Sequence, residues 1–128
     1  MINVRIKKLK NVFLISLLIL TFSNVFAGTK VACMDLSDPN HGNPLDMGWK
    51  ILQGDPSGMH TFINAMISTM IILGQRTVTC NYNNGVALYQ IGQIQRDVQQ
   101  NWELVSQGGT EYWQCLRDVN ACAFWMGQ

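Results

Sequence analysis

The chain has 128 residues and a formal net charge of +1, from nine basic and eight acidic side chains. Four of the basics fall within the first ten residues, so the stretch after Ala27 carries five basics against eight acids, net −3. Phosphate binding needs a clustered positive surface, and Arg76, Arg96 and Arg117 stand singly, which argues against nucleic acid as a partner.

Arg5, Lys7, Lys8 and Lys10 precede an apolar run, Val12 to Phe22, that is too short to span a bilayer comfortably. Val25-Phe26-Ala27 then follows with a small residue at the end. This pattern predicts a signal peptide over residues 1–27, cleaved after Ala27, and a single secreted domain over 28–128 with no stable membrane span. Lipid anchoring does not fit, because Cys33 lies well past the apolar run and has Lys30 three positions before it. The expected location is the periplasm or the exterior. Low charge with four tryptophans and three tyrosines predicts a compact domain.

All four cysteines, Cys33, Cys80, Cys115 and Cys122, lie in that secreted part. An even count in an oxidising compartment predicts two disulfides, with three possible pairings. The favoured one joins Cys115 to Cys122 as a local closure and Cys33 to Cys80 as a long-range staple. A metal site with His41 and His60 is the alternative, but no Cys-x-x-Cys pair exists. Neither a metal nor a cofactor is expected.

Residues 28–58 hold all three prolines, in "SDPNHGNPLDMG" and "GDPSG", and read as an irregular arm. A short extended piece is expected at 48–53, around Trp49. The next run, "MHTFINAMISTMIIL" at 59–73, fits two templates. Its apolar residues recur at helical spacing, with Pro56 before and Gly74 after. It is also rich in isoleucine and can form two strands about a turn at Ser68-Thr69.

"TVTCNYNNGVALYQIG", within 76–92, predicts a β-hairpin with Asn84-Gly85 as a two-residue turn. In that register Cys80 faces Tyr89 and Val78 faces Ile91. Val78, Cys80, Tyr82, Ala87, Tyr89 and Ile91 then share the apolar face. Ile94, Val98 and Trp102 recur at helical spacing in 92–105, which reads as a short surface helix or an ordered loop. "TEYWQC" and "CAFWM" predict short aromatic strands on either side of the Cys115–Cys122 loop.

Catalytic chemistry needs groups in mutual reach. His41 sits in a loop-like "DPNHGNP", and His60 can pair with Asp55 or Asp46 only by an unspecified fold. Asp97, Glu103, Glu111 and Asp118 read as solvated charges. Ser57 lacks a nucleophile elbow, and no phosphate loop, His-Glu-x-x-His helix or calcium loop is present. The aromatic residues are the stronger lead. Most belong to a small core, but Tyr112 and Trp113 must face opposite sides of one strand, so one of them is the best single candidate for a contact residue. Tyr112, Trp113 and Trp125 are the candidate binding surface.

Gly48-Trp49, Phe62-x-x-Ala65, Val78-x-Cys80-x-Tyr82, Trp102, Trp113-x-Cys115 and Cys122-x-Phe124 together resemble a family of small exported, uncharacterised proteins of Legionella- and Coxiella-type gammaproteobacteria. The resemblance implies a β-rich domain and carries no site residues. The expected fold is therefore mainly β, a small disulfide-stapled antiparallel domain with a hairpin at 76–92. The alternative is α+β with a helix at 59–73. The expected function is a non-enzymatic binding or structural protein of the bacterial envelope or exterior, with a protein or glycan partner. The alternatives are a small envelope hydrolase using His60, or a periplasmic inhibitor of a host hydrolase. Against the latter, "SGMHTF" lacks the tyrosine of the Ser-Gly-x-x-Tyr loop that one group of such inhibitors uses.

Overall fold

A computed structural model describes residues 28–127; the expected signal peptide, 1–27, lies outside them. Nine strands alternate with short turns: β1 (Gly28–Val31), β2 (Lys50–Gln53), β3 (Phe62–Ser68), β4 (Arg76–Tyr82), β5 (Ala87–Gly92), β6 (Ile94–Arg96), β7 (Glu103–Gln107), β8 (Thr110–Cys115) and β9 (Phe124–Gly127). Single 3-10 turns occur at Pro44–Met47 and Val119–Ala121. The strands form two antiparallel sheets, one of six in the order β2-β5-β4-β3-β8-β7 and one of three in the order β1-β9-β6. The domain is mainly β, as expected, and among the described residues no helix is long and apolar enough to cross a membrane.

The helical alternative at 59–73 is corrected. Phe62–Ser68 is a central strand, bonded to β4 on one side and β8 on the other. Ala65 and Ile67 are fully buried on its inner face, whereas the wider helical spacing also takes in Met59, Ile63 and Met70, which are exposed. Pairing on both edges satisfies the backbone in a way that an isolated helical turn pattern does not encode. The reversal also lies further on than Ser68-Thr69. Leu73 and Gly74 both have positive φ (53° and 76°), and Ile72 and Gln75 exchange backbone bonds of 2.9 and 3.0 Å around them.

The 76–92 hairpin forms, with Asn84 and Gly85 at φ 62° and 70° as the turn requires. Its register differs by one residue from the expected one. The Val86 carbonyl accepts from Tyr82 N–H, and beyond the turn Cys80 faces Leu88 and Val78 faces Gln90. One extra residue at the turn reverses the β5 faces. Val86 and Leu88 are buried with Val78, Cys80 and Tyr82, while Tyr89 and Ile91 turn to the opposite side. Leu88 thus supplies the packing against Cys80 that Tyr89 was expected to give.

Two further segments differ from expectation. The arm is not irregular throughout, because Gly28–Val31 pairs with the C-terminal strand β9. The stretch 92–105 contains no helix: Ile94–Arg96 pairs with the other edge of β9, and Glu103–Gln107 opens a hairpin with β8. Ile94 and Trp102 are buried from these two strand environments, and Val98 between them is exposed.

The small sheet and the arm cover one face of the large sheet. Phe124, Ile94, Leu36 and Trp49 meet Ala65, Ile67, Val78 and Leu88 in a single core. Trp49 packs edge-on to Phe124 with ring centroids 6.4 Å apart. Tyr82 donates its hydroxyl to the Met34 carbonyl at 2.6 Å, and burial pushes its pKa well above the usual phenol range. Both favoured disulfides form, Cys33–Cys80 across 47 residues and Cys115–Cys122 across seven.

Candidate polar groove beside the Cys115–Cys122 loop

Alternation along β8 sends Tyr112 to the outer face of the large sheet and Trp113 to the inner one. The two do face opposite sides, and both are half-buried. Trp113 is capped by the Arg96 guanidinium, 3.8 Å above its ring. Trp125 sits on the outside of the small sheet, half-buried, with the Lys30 ammonium 5.6 Å from its ring centre. The three candidate contact residues therefore lie on three separate faces, and two of them are stacked by cations of the same chain.

A different group of residues converges. The antiparallel register places Glu103 beside Gln114, and Gln114 beside Met66 on β3. Where β8 leaves the sheet, the Cys115–Cys122 loop folds back and a groove of about 450 Å³ opens between it and the start of β7. Asn101, Trp102, Glu103, Gln114, Leu116 and Arg117 line it.

The groove walls are held from below. The Trp102 indole donates to the Ala123 carbonyl at 2.8 Å, and Asn101 Nδ2 donates to the Ala121 carbonyl at 3.3 Å. Asp118 caps the 3-10 turn by accepting from Ala121 N–H, and the disulfide closes the same loop. On the sheet side an amide relay runs outward from the centre: Asn81 Nδ2 donates to Asn64 Oδ1 at 2.7 Å, and Asn64 Nδ2 donates to Gln114 Oε1 at 3.3 Å.

These bonds decide what the groove presents. With its carbonyl engaged, Gln114 offers its amide hydrogens; with one amide hydrogen engaged, Asn101 offers its carbonyl oxygen. Glu103 adds an acceptor and Arg117 a donor, and neither is in an ion pair among the described residues. Leu116 and Trp102 supply apolar wall. Two oriented amides, a carboxylate and a guanidinium thus line one concavity.

The two histidines lie elsewhere, at the ends of the arm loops. His60 Nε2 is 2.7 Å from the Ser57 carbonyl, and the Asp55 carboxylate accepts from Ser57 N–H at 2.9 Å. No hydrogen bond joins His60 to Asp55 or Asp46. His41 has its two ring nitrogens 2.9 and 2.6 Å from the carbonyls of Gly42 and Gly58. Bonds to those two carbonyls raise the His41 pKa, since both nitrogens donate only in the imidazolium form. Among the described residues no three metal-ligating side chains come together.

The sequence does not point to the groove because 92–105 reads as a short surface helix or an ordered loop, and either hides the Glu103–Gln114 pairing. The usable signal was Gly108-Gly109, which marks a hairpin between "ELVSQ" and "TEYWQC". No protein-family model matches the chain, and no curated protein or solved structure is significantly similar to it.

Proposed function

We propose that this chain is an exported, non-enzymatic binding protein of the bacterial envelope or exterior, and that the groove beside the Cys115–Cys122 loop holds the end of a glycan. The observation that supports this reading is the convergence of the oriented Gln114 donor and Asn101 acceptor with the Glu103 carboxylate and the Arg117 guanidinium in one concavity. A polyol recognises such a set because each hydroxyl both donates and accepts. An acidic surrounding with one guanidinium does not suit a polyphosphate.

Binding is favoured over hydrolysis by a count of carboxylates. Glycoside cleavage uses two carboxyl groups flanking the bond, and Glu103 is the one carboxylate lining this groove. Two disulfides are consistent with delivery to an oxidising space, where the segment 1–27 is the expected export signal.

The test is an NMR titration of the protein recovered from the envelope, using cell-wall and host-type oligosaccharides. Shifts are expected at the side chains of Gln114 and Asn101 and at the Trp102 indole. Glu103→Gln and Gln114→Leu should each weaken binding about tenfold, the loss of one or two hydrogen bonds in a shielded site, and Tyr112→Ala should leave it unchanged. The reading fails if no saccharide moves these signals, or if a bound one is indifferent to Glu103→Gln and Gln114→Leu.

A further inference from the structure

The hairpin joining β3 to β4 carries four consecutive apolar residues beyond the end of the sheet. Met70, Ile71, Ile72 and Leu73 are 66, 56, 63 and 97% exposed. Leu73 occupies the apex in the left-handed region, at φ 53°, where a leucine is strained and glycine or asparagine is not. No charged side chain occurs between Ser68 and Gln75. A monomeric domain rarely presents such a knob without a use.

Charge is distributed unevenly along the sheet. At the knob end stand Arg76, whose guanidinium is fixed to the Ile94 carbonyl at 3.1 Å, together with Arg96 and Lys30. Asp97 there is bound to Lys30 at 2.9 Å, and Glu111 is the other acid nearby, its carbonyl accepting from Thr69. The far end holds Asp35, Asp38 and Asp55 in the arm loops, with Glu103 and Asp118 beside the groove. The named charges thus sum to +1 at the apolar end and, with Arg117 counted beside the groove, to −4 at the other.

The chain also enters from the knob end. Gly28 pairs with Gly127, whose N–H donates to the Gln93 carbonyl at 2.7 Å, and Gln93 lines the same cleft as Ile71 and Gly74.

We propose that the Met70–Leu73 knob inserts into the interfacial layer of an anionic phospholipid bilayer, with Arg76 at its base beside the headgroups. A convex apolar tip with a guanidinium at its base suits a deformable apolar phase under a negative surface. The acidic far end then points away from the membrane by repulsion, which leaves the polar groove facing open solvent. This reading does not depend on the ligand of the groove.

The experiment is co-sedimentation of the envelope-purified protein with vesicles of phosphatidylethanolamine and phosphatidylglycerol. The wild type is expected in the pellet, less so at high salt. Leu73→Asn should lower the partition constant about tenfold, the effect of removing one buried aliphatic side chain. The same variant should resist denaturant as well as or better than the wild type, because asparagine tolerates the apex conformation. Gln114→Leu should bind vesicles unchanged. Wild-type protein that stays in the supernatant overturns the proposal, as does equal binding by Leu73→Asn. Lipid-free self-association that Leu73→Asn abolishes overturns it in favour of a second copy of the chain.

Discussion

Lys30 Nζ lies 2.9 Å from Asp97 Oδ2, joining the first strand of the small sheet to the turn that follows β6. The Asp97 carboxylate also accepts from Gln99 N–H at 3.0 Å and is almost wholly covered. The Lys30 bond, the Gln99 N–H and the nearby ammonium charge lower its pKa against a smaller opposing effect of burial. A folded-state pKa below the unfolded value means the stabilisation is complete above pH 3.8 and is lost as pH falls through the folded value. Asp97→Ala should therefore cost about 1–3 kcal/mol at pH 7. The difference from wild type in urea melts should shrink once the solution is acidified below the usual carboxylate range. A cost that persists unchanged in acid would show that packing, and not the ion pair, is what Asp97 contributes.

His41 has the opposite sign. Its pKa is raised by the Gly42 and Gly58 carbonyls, with Asp38 and Asp35 adding smaller attraction. The latch it makes between the two arm loops is at full strength below pH 6.5 and is lost as pH rises through the folded pKa. Proton NMR of the ring should report a pKa above 6.5. Hydrogen-exchange protection at 54–58, relative to the intrinsic rate at each pH, should fall between mildly acidic and mildly alkaline pH in the wild type but not in His41→Ala. Because the ring is largely solvated, the global stability change is expected to be small.

Gly54 ends β2 against the 83–86 turn at φ 76°, and a side chain there would bring its Cβ within 2.7 Å of the Gly85 carbonyl oxygen. Both the backbone conformation and the space demand glycine. Gly54→Ala should destabilise the domain by about 2–4 kcal/mol, measurable as a shift of the urea midpoint. By contrast Gly58→Ala, with φ 78° but nothing near its Cβ, carries only the conformational cost of about 1 kcal/mol. Equal effects at the two sites would mean the contact with Gly85 yields freely.

The two disulfides should separate in stability and in function. Closing 47 residues through Cys33–Cys80 constrains the unfolded chain by about 4 kcal/mol, and closing seven through Cys115–Cys122 by about 2 kcal/mol. Paired serine replacements should show that order in denaturant melts. The Cys115/Cys122 pair should lose groove binding at concentrations where the domain is still folded, since that loop carries Leu116 and Arg117.

Much of the framework could be read before any coordinates, for reasons tied to single residues. Asn84-Gly85 demanded positive φ, and the cysteines had one pairing that closed both a short and a long loop. "TEYWQC" alternated cleanly enough to put Tyr112 and Trp113 on opposite faces. Long-range pairing was not legible. Nothing local to Gly28–Val31 says that it will lie beside Phe124–Gly127, and the single-residue slide at Asn83 depends on which of Leu88 and Tyr89 fits against Cys80. The groove was invisible for the same reason. Asn101, Glu103, Gln114 and Arg117 are ordinary polar residues until the β7–β8 register and the loop closure bring them together.

The place of β9 in the small sheet has a consequence for how the protein is made. β9 is the middle strand, and β1 and β6 touch the sheet only through it. The first described strand therefore waits for Phe124–Gly127, and Trp49 and Trp102 lack Phe124 and the Ala123 carbonyl until those residues arrive. A chain in which Phe124–Gly127 are not yet in place cannot complete its core, so the small sheet and both tryptophan contacts form together in one late step.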